Sequence, residues 1–197
     1  MASVARDMQS QAPLRSVRLR TFDPIVEQRA GGVIHIRAAR TLERYHDKLS
    51  QPLEHWAKVA PDRIFLAQRD AQGEWRKLTY AQVLADVKRI GAAMLRRGLS
   101  PERPLAVLSG NDIEHALLAL AAMYVGIPYA PISPAYSLMS SDFGKLRAMI
   151  ERLTPGLVFA NDGGPFARAI YATLPDEIEL VVARNPHAAH ARACVCQ

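Results

Sequence analysis

The stretch PLAVLSGNDIEHALLALAAMYVGIPYAPI, residues 104–132, decides the fold. Leu105-Ala106-Val107-Leu108 runs apolar without interruption, the pattern of a strand covered on both faces. Ser109-Gly110 turns the chain, and Asn111 or Asp112 can cap a helix whose apolar run reaches about Val125. Gly126-Ile127-Pro128 breaks that helix, and Tyr129 to Ile132 reads as a second strand. Strand, helix and strand in that order imply a parallel sheet with crossover helices.

The rhythm continues downstream. Ser140 or Ser141 can cap a helix running through Leu153, which Thr154-Pro155-Gly156 ends. Leu157 to Ala160 is a third strand, and Pro165 suits the first turn of a helix reaching about Thr173. Ile178 to Val182 is a fourth strand. Upstream, Thr79-Tyr80-Ala81-Gln82 has the form of a capping box. Val83, Leu84, Val87, Ile90 and Met94 follow at helical spacing, and Gly98 closes that helix. Leu53, Trp56, Ala57 and Ala60 mark a short helix between Pro52 and Pro61. Ile64–Ala67 and Trp75–Leu78 flank Asp70-Ala71-Gln72-Gly73 as one hairpin. Alternation from Ile25 to Arg37 around Ala30-Gly31-Gly32 gives another. The expected class is therefore α/β: a partial parallel-sheet sub-domain with flanking helices, preceded by small β-hairpins.

Composition excludes several classes. The chain has 197 residues, 49% hydrophobic and 22% charged, as a soluble globular protein does. Its longest apolar stretch, Ala116 to Val125, is too short for a membrane span, so no membrane partner is expected. The formal charge is +6, but the early arginines (Arg6, Arg15, Arg18, Arg20, Arg29, Arg37, Arg40) have only Phe22 among them for stacking, so no nucleic-acid partner is expected. Asp7, Asp23 and Glu27 count against a transit peptide, and a cytoplasmic location is expected. The two cysteines, Cys194 and Cys196, argue against a disulfide-built secreted fold. With His187 and His190 they superficially suggest zinc ligands, but alanines flank them and no scaffold is evident. After Pro186 the sequence has no clear period, and residues 187–197 are expected to be a disordered tail.

Chemistry is hard to find. Ser109-Gly110-Asn111 offers a single glycine between strand and helix, a weak phosphate signal. Asn161-Asp162-Gly163-Gly164 carries an acid that repels phosphate and reads as a turn former. Glu114 and His115 sit in a mostly apolar helix, where a lone histidine is usually structural. Asp142 is explained by a helical first turn. No nucleophile, base and orienting acid assemble from neighbouring motifs.

A resemblance narrows the reading. Trp75-Arg76-Lys77-Leu78-Thr79-Tyr80 resembles the Leu-Thr-Tyr entry motif of adenylate-forming enzymes. Arg103 to Asn111, and Ala119 through Gly126-Ile127-Pro128 to Pro134, are similar to later packing motifs of that superfamily. Asn111 to Ala116, Tyr136-Ser137-Leu138 and Asp142 to Arg147 look like bacterial feruloyl-CoA synthetase and related aromatic acid–CoA ligases. The similarity covers about Leu14 to Asn185. It implies an incomplete version of the adenylate-forming large domain, with residues 1–24 as a leader and 25–186 as the amino-terminal part of the ligase domain. It also implies a reaction in which acid and ATP give an acyl-adenylate and pyrophosphate, after which the CoA thiol displaces AMP.

The resemblance implies equally what is expected to lie beyond the chain's end: the Gly-rich phosphate loop, the adenine and ribose contacts, the hinge and the lid lysine. None of Lys48, Lys58, Lys77, Lys88 or Lys145 sits in a matching context. No catalytic, cofactor-binding or metal residue is therefore assigned, and whether the chain is itself an enzyme is left open. ATP, Mg²⁺, CoA and an aromatic acid are implied for a full-length relative, and no cofactor is expected for this chain. Two other readings stand beside an inactive amino-terminal piece. One is an interaction module that self-associates through exposed apolar surface. The other is a small nucleotide binder using the Ser109-Gly110-Asn111 turn.

Overall fold

The computed structural model describes residues 23–186 and the backbone of Cys194–Val195. The chain forms two compact units, Met1–Tyr45 and His46–Gln197.

In the first unit, β1 (Pro24–Gln28) and β2 (Ile34–Ala38) pair antiparallel across a 3₁₀ turn at Ala30–Gly32. Gly31 and Gly32 both take φ of 78°, a conformation that explains the Gly-Gly pair. The expected hairpin forms, one residue longer at each end.

The second unit begins with α1 (Gln51–Val59) and the antiparallel pair β3 (Ile64–Arg69) and β4 (Trp75–Thr79). There follow α2 (Tyr80–Arg96), β5 (Leu105–Leu108), α3 (Ile113–Val125) and β6 (Tyr129–Ile132). Next come α4 (Ala135–Leu138), α5 (Gly144–Leu153), β7 (Leu157–Asp162), α6 (Gly163–Thr173) and β8 (Glu179–Arg184). The main sheet has the order β6-β5-β7-β8-β9, all parallel, with β9 at Cys194–Val195. Cys194 of the His/Cys grouping thus falls in β9, while His187, His190 and Cys196 lie outside the described residues.

Side chains alternate across this sheet as the apolar strand runs require. Leu105, Val107, Leu157, Phe159 and Val181 join one core with Val83, Val87 and Met94 of α2 and Leu117 and Ala121 of α3. Ala106, Leu108, Val158, Ala160, Leu180 and Val182 join the other with Leu146 and Ile150 of α5 and Phe166 and Ile170 of α6.

The helix ends show why these boundaries hold. At α2 both bonds of the capping box form: Gln82 N–H donates to Thr79 Oγ1 at 3.3 Å, and Thr79 N–H to Gln82 Oε1 at 2.9 Å. Gly126, at φ 77°, ends α3, and the amide of Ile127 turns back to the Ala122 carbonyl at 2.9 Å.

The start of α5 differs from the expectation. Neither Ser140 nor Ser141 is its cap, and Asp142 precedes the helix rather than lying in its first turn. Ser140 Oγ accepts from Phe143 N–H at 3.0 Å, and Asp142 accepts from Ser140 and Gly144. This turn places buried Phe143 in the left-handed region, and the helix starts only at Gly144. Bonding from the Gly144 amide, then from Ser140, holds the Asp142 carboxyl below its usual range. At α6 Asp162 is the cap, and Pro165, third in the helix, lies in its first turn as expected.

Thr154, the C-cap of α5, also sits left-handed at φ 43°, ψ 55°, and its side chain is exposed. A β-branched residue there is strained by about 1–2 kcal/mol. Glycine relieves that strain but orders a freer chain, so Thr154→Gly should raise stability by about 0.5–1 kcal/mol in denaturant melts.

Candidate functional site at the carboxyl edge of the sheet

Neighbouring strands β5 and β7 send their following helices to opposite faces, α3 to the α2 side and α6 to the α5 side. The crevice outside the carboxyl ends of such a pair is where open α/β sheets bind ligands. Here the Ser109–Asp112 and Asn161–Asp162 segments meet in that crevice.

What fills it is a carboxylate. Asp112 caps α3, one oxygen accepting from His115 N–H at 2.7 Å. Its other oxygen accepts from Ser109 Oγ at 2.9 Å and from the carboxamide of Asn161 across the sheet. His115 does not face the core; its Nδ1 lies 3.0 Å from the Gly110 carbonyl. From β3, Gln68 Oε1 takes the Ile113 amide at 2.9 Å. On the neighbouring turn, Asp162 accepts from Gly164 N–H at 3.0 Å and Asn185 Nδ2 at 2.9 Å, with Arg184 Nε 4.0 Å away.

Phosphate binding at a helix start needs free amides and a favourable field. At α3 the amides of Ile113 and His115 are already taken, and the group taking one of them is itself an anion. Asp162 does the same at α6. Asn111 is exposed beside a cleft of about 360 Å³ floored by Leu66, Ala67 and Ile113. That cleft offers Asp112 and His115 but no lysine or arginine.

A second cavity, about 400 Å³, lies between α2, α3 and the sheet over Phe159 and Val181. Its arginines all face carboxylates: Arg76 pairs with Glu114, Arg89 with Asp86 at 2.9 Å, Arg97 with Glu179 at 2.9 Å, and Arg184 approaches Asp162. Glu114 thus acts as an ion-pair partner to β4, a role its position in an apolar helix did not announce. Among the described residues no three His, Cys, Asp or Glu side chains are grouped to hold a metal, and no helix is long and apolar enough to cross a membrane.

Asp112 should matter to folding more than a simple cap. Asp112→Ala removes the cap, about 1 kcal/mol, and takes the acceptor from the part-buried Asn161 amide. A loss of about 2–3 kcal/mol is expected in urea unfolding, with Asp112→Asn recovering part of it.

The sheet order, the packing motifs and the comparisons now converge. The AMP-binding enzyme family model matches residues 53–193, and the chain belongs to that adenylate-forming family. It is 27% identical over 145 residues to the human mitochondrial medium-chain acyl-CoA ligase ACSF2, covering 72% of this chain and 23% of that protein. Over 145 residues it is 25% identical to malpinin synthetase of Mortierella alpina, covering 71% of this chain and 2% of that one. Among solved structures, VinN superposes with a TM-score of 0.56 at 22% identity, over 71% of this chain and 32% of VinN. The fatty acyl-adenylate ligase of L. pneumophila, in complex with acyl adenylate and pyrophosphate, gives 0.55 at 19%, over 68% of this chain and 23% of that one. The chain thus spans about a quarter of the length of the acyl-CoA ligase and far less of the larger synthetase. These structural likenesses establish the fold. They leave the acid open.

Proposed function

We propose that these 197 residues are the amino-terminal scaffold of an ATP-dependent aromatic acid–CoA ligase of the feruloyl-CoA synthetase type, and that alone they do not activate an acid. Family membership supports the reaction class. The aromatic acid is supported by the similarity of Asn111 to Ala116, Tyr136-Ser137-Leu138 and Asp142 to Arg147 to that subgroup. Inactivity is supported by one observation: at the sheet's carboxyl edge the amides of Ile113, His115 and Gly164 are bonded to Gln68, Asp112 and Asp162. No Gly-rich lysine-bearing loop occurs in the sequence to replace them. Activation of a carboxylate needs oriented positive charge at phosphorus, and Arg76, Arg89, Arg97 and Arg184 are each turned to a carboxylate instead.

The acid class is tested by immunocapture from the source cells with an antibody against residues 46–186. Captured material that forms AMP with ferulate and CoA supports the reading. Material that acts on fatty acids or amino acids and ignores ferulate overturns it.

A further inference from the structure

We draw no further inference here: the strongest candidate, the cavity of about 400 Å³ between α2, α3 and the sheet over Phe159 and Val181, has its arginines turned to carboxylates, and nothing in the structure shows what covers its apolar floor.

Discussion

Leu146→Ala should lower the unfolding free energy by about 3–4 kcal/mol. Leu146 is fully buried in the core beneath α5, packed with Phe143, Ile150, Phe166 and Ile170. Truncation there loses the transfer energy of the removed carbons and leaves a cavity that close-packed neighbours only partly fill. Helix propensity offsets almost none of this, since alanine and leucine are both good helix formers. A domain of this size holds about 5–15 kcal/mol in all, so a fall in melting temperature of about 10 °C is expected. Met149 on the same helix is 36% exposed, and Met149→Ala should cost less than about 1 kcal/mol. Equal effects at the two positions would mean that α5 does not pack as described.

Gly91→Leu should be comparably damaging, for the opposite reason. Gly91 lies on α2 where that helix crosses α3, and a Cβ built there would come within 2.7 Å of Val125 Cγ1. Valine has few rotamers on a helix, so the clash is relieved mainly by separating the two helices. Overpacking of this kind costs about 1–3 kcal/mol, and the longer leucine falls at or above the top of that range. Gly91→Ala divides the two influences. Alanine gains about 1 kcal/mol of helix propensity, yet its methyl meets the same valine, so a net loss of about 1 kcal/mol is expected. The double variant Gly91→Ala with Val125→Ala should recover most of what the clash takes. Thermal melts of the four proteins, wild type included, form a double-mutant cycle that isolates the contact.

The strand–helix alternation was legible because each element announces itself locally. Leu105 to Leu108 could only be a strand buried on both sides, and the Thr79 and Gln82 pair is its own cap. What was not legible is non-local. Nothing near Gln68 foretells that it takes an amide 45 residues later, or that Arg76 and Glu114 meet from β4 and α3. The four-residue helix Ala135–Leu138 has no period to detect. At α5 the serines looked like caps, but burial of Phe143 overrode the local preference and moved the start to Gly144. The family resemblance was carried by packing motifs, and those are what the fold displays. The finer aromatic subgroup rests on a few loop residues, and the fold alone does not select an acid.

The switch crevice between β5 and β7 is present, but Asp112 and Asn161 close it from within. The most direct test is ATP–pyrophosphate exchange by the purified 197-residue chain with ferulate and Mg²⁺, followed by an assay for AMP and the CoA thioester. No exchange and no thioester are predicted while circular dichroism shows the chain folded. Ferulate-dependent exchange by that folded chain would contradict the reading and locate a phosphate-holding site among these residues.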